Sequence, residues 1–149
     1  MKLEEALRLT MRATGIAATR GVGVAVAVVD AGGHLVTLHR MDGVPFIAAE
    51  IARGKAWTAA AWGETSTDQA AKAAAVPQFA TAITVASGGR YTPQAGGIPI
   101  RQDGIVIGAV GASGLASGKT DEQILQQALA DTGLAGEPAA NPGRASGTT

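Results

Sequence analysis

Leu3, Ala6, Leu7, Thr10, Met11, Thr14, Ala17 and Ala18 recur at helical spacing, with Glu4, Glu5, Arg8 and Arg12 on the other side. The pattern predicts a helix over Leu3–Thr19, broken at Gly21. Val22 to Asp30 is rich in β-branched residues and too apolar to be half-exposed, which predicts a buried strand. Asp30-Ala31-Gly32-Gly33 reads as a turn and His34 to Met41 as the returning strand, making a hairpin. Phe46 to Trp62 is an Ala-rich helix closed by Gly63. Thr65, Ser66 and Thr67 cap a short third helix that runs to Ala75 and ends before Pro77. Phe79 to Val85 reads as helix turning into extended chain.

Ile98 to Arg101 and Ile105 to Ala112 form a second hairpin around Gln102-Asp103-Gly104, with Pro99 confining its strand to an edge or an end. Thr120-Asp121-Glu122-Gln123 reads as a capping box for a last helix that ends near Gly133. The expected class is α+β, a layered α/β/α fold: an antiparallel sheet built from two β-hairpins, with helices packed on it. One domain spans residues 1–134. Residues 135–149 hold almost no bulky side chains and are expected to form a disordered tail that carries no chemistry.

Composition narrows the function. The 149 residues carry 12 basic and 12 acidic side chains and no cysteine. That leaves no thiol chemistry, no Cys-ligated zinc and no iron–sulfur cluster. Balanced charge gives no electrostatic footprint for nucleic acid or an acidic membrane, so the expected partner is a small molecule or another copy of the chain. No apolar run reaches transmembrane length and no apolar signal core follows Met1, which makes a cytoplasmic location the expectation.

Gly114-Leu-Ala-Ser-Gly118-Lys119-Thr120 is set like a phosphate-binding loop, but only three residues separate its glycines where that motif has four. A loop with a helix cap is the better reading. His34 and His39 lie on one strand, five apart; alternation puts them on opposite faces, so they cannot share one metal. Either alone suits haem iron or base chemistry, against a plain reading as a surface histidine and a packed strand histidine. Arg40-Met41-Asp42-Gly43 followed by Lys55 suits a carboxylate site or an ordinary capping ion pair. Lys55, set among alanines and Trp57, is expected to be partly buried. Gly96, Gly97 and Gly111 allow close approach of backbone to a ligand or to another element.

The ordered blocks Val28-Val-Asp30-Ala-Gly-Gly33-His34, Arg40-Met-Asp42-Gly43, Lys55-Ala-Trp57-Thr-Ala59, Gly96-Gly-Ile-Pro-Ile100, Asp103-Gly104 and Ile107-Gly-Ala-Val-Gly111-Ala-Ser113-Gly114 resemble the GlcG/HbpS family of haem-degrading or haem-binding proteins. The C-terminal domain of PduO-type proteins belongs to the same group. The resemblance runs from Leu3 to Leu134. It implies the layered fold, a homo-oligomer between a dimer and an octamer, and haem as a ligand of some members. On that basis His34 is the expected iron ligand, with Gly96, Gly97, Gly111, Ser113 and His39 at the ligand. The alternative is an enzyme with isomerase or lyase chemistry on a small oxygenated carboxylate. There Arg40 would grip the anion, Asp42 would orient it or act as base, and Lys55 would be the acid/base group or imine former. The Gly96-Gly97 and Gly111–Gly114 segments would offer N–H groups to an oxyanion. A third reading is a purely structural oligomer with an empty pocket.

Overall fold

A computed structural model of the chain describes residues 1–114 and 116–136. Helix α1 spans Leu3–Thr19. Glu5 accepts the Lys2 backbone N–H at 2.9 Å, satisfying one of the free donors at its start. Gly21, with φ +68°, ends it in the left-handed conformation. Strands β1 (Val24–Asp30) and β2 (Leu35–Arg40) form the first hairpin. Asp30 Oδ1 builds the turn by accepting the N–H groups of Gly32 and His34, both at 2.9 Å. Helices α2 (Ile47–Trp62), α3 (Ser66–Ala75) and α4 (Pro77–Ala86) follow. Strands β3 (Gly97–Gln102) and β4 (Ile105–Gly114) make the second hairpin. Its Asp103 and Gly104 both have positive φ, as a two-residue turn of the I′ kind requires. Helix α5 (Gly118–Thr132) and the short β5 (Ala135–Gly136) complete the described chain.

The sheet order is β2-β1-β4-β3-β5, antiparallel throughout. Strand β1 lies inside the sheet, which is why its run of valines and alanines is buried on both faces. Val24, Val26, Val28, Ile98, Ile100 and Val110 face α1 and α5, where Leu9, Ile16, Ile124 and Leu125 fill the larger core. Ala25, Ala27, Val29 and Ala109 face α2, which answers with Ala48, Ala52, Ala56 and Ala59. This second interface is made almost wholly of small side chains, so α2 lies nearly on the sheet backbone. A Cβ on Gly111 would stand 2.1 Å from the Ala52 carbonyl oxygen. The layered α/β/α arrangement read from the sequence is the one observed, and the alanine of α2 serves contacts within the chain.

Three local expectations change. The 79–85 segment is helical to Ala86, because Pro77 sits in the first turn of α4 and Val76, with φ −135°, separates it from α3. The cap of α5 is Ser117, whose Oγ accepts from Thr120 N at 3.2 Å; Thr120 lies inside the first turn. Ala135 and Gly136, assigned by composition to the tail, pair with Arg101 and Ile100 as β5. Residues 137–149 lie outside the described residues. Pro99 pairs with Ala109 on the β4 side. On its other side β5 reaches only Ile100 and Arg101, so Pro99 keeps the edge position its missing N–H demands.

Candidate functional site

Lys55 is the most perturbed side chain among the sequence candidates. It projects from the middle of α2, 3% exposed, past the glycines of β3 and β4. Its Nζ donates to the Ala112 carbonyl at 2.8 Å and to Asp121 Oδ2 at 3.3 Å. Asp121, in the first turn of α5, is 1% exposed, and its Oδ1 has no hydrogen-bond partner. Burial lowers the Lys55 ammonium from its ordinary value, and the Asp121 charge only partly offsets this. Burial likewise raises the Asp121 carboxyl against the pull of Lys55. Both groups shift toward their neutral forms, so desolvation outweighs their mutual attraction.

The glycines gather around this pair. Gly96, at φ +117°, stands where a Cβ would lie 2.8 Å from the Ala112 oxygen and 3.0 Å from Lys55 Nζ. The Gly97 N–H donates to Ser66 Oγ at 2.7 Å, and a Cβ there would meet the Lys55 carbonyl oxygen at 2.4 Å. Ser66 Oγ in turn donates to the Gln94 carbonyl. The expected oxyanion cradle is therefore not formed at Gly97, whose N–H is already bound. Gly96, Gly97 and Gly111 let α2, β3, β4 and α5 approach one another closely, and none of the three lines a described cavity. Ser113 is buried on β4 opposite Ala25.

Arg40 and Asp42 do not join Lys55. The Arg40 guanidinium donates to the Val44 carbonyl at 2.8 Å within its own loop. Asp42 is exposed in that loop. The partner of Lys55 is Asp121, which the capping-box reading had absorbed. A carboxylate in the first turn of a helix is favoured by the helix dipole, and that was the available signal for it.

Both histidines follow the β1–β2 turn, His34 immediately before β2 and His39 within it. His39 is half-buried opposite Val26, on the side of the sheet that carries α1. His34 is exposed just before β2, next to Gly33. Gly33 lies against the indole of Trp57, where a Cβ would be 2.6 Å from Cδ1. Among the described residues no three His, Asp or Glu side chains gather into a metal cluster.

Trp57 belongs to the concave surface that sequence reasoning missed. A cavity of about 310 Å³ runs between α2 and α4, lined by Trp57, Ala61, Trp62, Ile83, Ala86 and Arg90 among others. A neighbouring one of about 230 Å³ shares Trp57 and Arg90 and adds Arg53, Gly88 and Gly89. Arg90 lies over the Trp57 ring, 5.5 Å from its centroid, with Nε donating to the Ser87 carbonyl. Trp62 meets Phe79 edge-on at 6.2 Å. The only sequence hints were the two tryptophans one and a half turns apart and the Gly-Gly-Arg segment after α4. No described helix is long and apolar enough to cross a membrane.

Known proteins resemble this chain over most of its length. The GlcG protein of Escherichia coli strain K12 is 43% identical over 90 residues, which is 60% of this chain and 63% of that protein. The chain thus spans under two thirds of the length of the curated relatives it matches. A crystal structure of a PduOC:heme complex superposes with a TM-score of 0.80 at 29% identity, covering 91% of this chain and 96% of that one. A double mutant of HbpS from Streptomyces reticuli gives a TM-score of 0.77 at 30% identity, covering 88% and 86%. The model of the family described as haem degrading protein HbpS-like matches residues 1–130, and the chain belongs to that family.

Proposed function

We propose that the chain binds haem or a closely related flat, amphiphilic ring in the groove between α2 and α4. The observation that carries this is the lining of the groove. Trp57, Trp62, Ala61, Ile83 and Ala86 give it apolar walls, while Arg90 and Arg53 stand at one end. A planar macrocycle with carboxylate arms needs that combination: apolar area for the ring and guanidinium donors for the carboxylates. The resemblance to a chain crystallised with haem supports the same reading.

The residues present fit the group. His34 lines neither cavity and its ring lies against Gly32, but it follows Gly33, which abuts Trp57 at the groove wall, and by turning its side chain toward the groove it would supply the iron ligand. His39 sits on the other face of the sheet. Arg90, held by its ring contact and by Ser87, would fix the carboxylates. When bound, haem supplies a redox-active iron; this chain's residues would hold the ring, exclude water from one side of it and set its orientation. The acid–base alternative finds less support, since Lys55 is sealed against Asp121 and lies apart from Arg40 and Asp42.

Titration of the ligand-free protein with hemin, followed at the Soret band, tests the reading. A saturable shift is expected, weakened about tenfold by Arg90→Ala, the loss of about 1.4 kcal/mol. His34→Ala should change the Soret position and His39→Ala should not. The absence of a saturable shift, or titrations identical in Arg90→Ala, Trp62→Ala and the parent chain, would refute it.

A further inference from the structure

The smaller cavity beside the groove, about 230 Å³, holds acceptors that the carboxylate arms of a flat ring cannot use. Helix α2 forms one wall, where Glu50, Arg53, Gly54 and Trp57 recur at helical spacing and share a face. The chain after α4 forms the other, with Gly88 and Gly89 in the left-handed conformation and then Arg90 and Thr92. Gly54 lets the two walls meet, since a Cβ there would stand 2.1 Å from Thr92 Oγ1.

The polar groups of this lining are of two kinds. Arg53 and Arg90 bring donors. Arg90 is held by its contact with the Trp57 ring and by the 2.7 Å bond from its Nε to the Ser87 carbonyl, which leaves its terminal nitrogens open. Among the described residues no ion pair joins Arg53 to Glu50, although they stand three positions apart on one helix. Glu50 and Thr92 bring acceptors. The Thr92 hydroxyl donates to the Arg90 carbonyl at 3.1 Å, so its oxygen is left only to accept. The Thr92 N–H is bound to Thr58 Oγ1 at 2.8 Å, which fixes the residue in the wall. Two guanidinium groups against one carboxylate leave the lining with an excess of positive charge.

We propose that this cavity is by itself a binding site for a free, small monocarboxylic acid that carries hydroxyl groups. Size sets the first limit. A water molecule takes up about 30 Å³ of liquid, so the cavity has room for roughly eight non-hydrogen atoms, the size of a short hydroxy acid. Charge sets the second. A guanidinium fork takes a carboxylate in two parallel bonds, and one negative charge balances the excess of the lining. A second carboxylate would face Glu50. Hydrogen bonding sets the third. Glu50 and Thr92 need donors, which ligand hydroxyls supply; a plain short-chain acid leaves both acceptors unmet, and that costs affinity. An amino acid offers its ammonium to Glu50 but carries no net charge to balance the lining. The cavity shares Trp57 and Arg90 with the groove, yet the proposal does not rest on what the groove binds.

The test is isothermal titration calorimetry on the full, ligand-free chain with glycerate, propionate, L-alanine, succinate and glycerol. Glycerate should bind saturably, with each of the other four weaker by about tenfold or more. Arg53→Ala should weaken glycerate by about tenfold or more, and Arg53→Lys should recover only part of the loss, because an ammonium cannot make the fork. Glu50→Leu should narrow the gap between glycerate and propionate, a change that a merely structural role would not produce. Arg53 and Glu50 are exposed, so these variants should keep the far-ultraviolet circular dichroism of the parent. Lys119→Ala, which removes a cation from a separate cavity, should leave glycerate binding unchanged. Absence of saturable glycerate binding overturns the proposal. So does propionate or L-alanine binding as tightly as glycerate, or a loss in Lys119→Ala equal to that in Arg53→Ala. These titrations contain no haem and the hemin titration contains no hydroxy acid, so either reading can fail while the other stands.

Discussion

Removing one member of the Lys55–Asp121 pair should cost far more than removing both. The two side chains are 3% and 1% exposed, and they join α2 to α5 beside the Ala112 carbonyl. Lys55→Met leaves the Asp121 carboxylate buried with no cation, and Asp121→Leu leaves the Lys55 ammonium with only the Ala112 carbonyl. Each single change should lose about 3–5 kcal/mol, the usual cost of an uncompensated buried charge. For a domain of this size the melting point should fall by roughly 10–20 °C. The double variant Lys55→Met/Asp121→Leu removes both charges and the unpartnered Asp121 Oδ1. It should lie within about 2 kcal/mol of the parent chain, because burial already outweighs attraction in the pair. The slopes with pH should also oppose one another. In Lys55→Met the carboxyl, raised above its ordinary 3.8 by burial, contributes stability that is complete below 3.8 and lost as pH rises through the folded value. In Asp121→Leu the ammonium, lowered from 10.5, makes stability rise with pH toward 10.5. Urea melts at several pH values, combined as a double-mutant cycle, measure all of this. Additive losses in the double variant, or single losses below about 1 kcal/mol, would refute the account of a desolvated, mutually dependent pair.

Other expectations come from the sheet faces and turns. Gly111→Ala should abolish soluble expression or cost several kcal/mol in a melt, since its Cβ would lie 2.1 Å from the Ala52 oxygen in a rigid helix backbone. Thr37→Val should cost about 1–3 kcal/mol, because Thr37 and Thr10 share a buried 2.8 Å hydroxyl contact between β2 and α1; Thr10 keeps its 2.7 Å bond to the Ala6 carbonyl, which favours the lower end. Asp30→Ala should cost about 1 kcal/mol in thermal stability through two lost turn hydrogen bonds. Those bonds lower the Asp30 carboxyl below 3.8, so its contribution is present above 3.8 and disappears as pH falls through the folded value.

The layered fold was legible because each of its elements carries a local signature. The buried β1, the Asp103-Gly104 turn and the glycines closing α1, α2 and α5 follow from backbone and burial rules that act over a few residues. The misread elements were those with two competing signals. Thr120 and Ser117 both suit a helix cap, and only the geometry of the Thr120 N–H selects Ser117. Residues 79–85 have the β-branched composition of a strand, yet Pro77 starts them as a helix.

The site was far less legible, for a physical reason. Lys55 was expected to be partly buried and is 3% exposed, but its partner lies 66 positions away, and charge pairing at that separation has no period to read. Arg40 and Asp42 were grouped with it because they share a segment with a glycine, whereas the chain turns Arg40 back onto Val44. The groove depends on α2 and α4 standing apart, with Trp57, Trp62 and Arg90 coming from elements that each look ordinary alone. The absence of charge from residue 73 to residue 89 was visible from the beginning, but it acquires meaning only when α4 proves to be a helix with no buried residue. A run without charge inside a core needs no explanation; the same run on an exposed helix leaves apolar side chains in water.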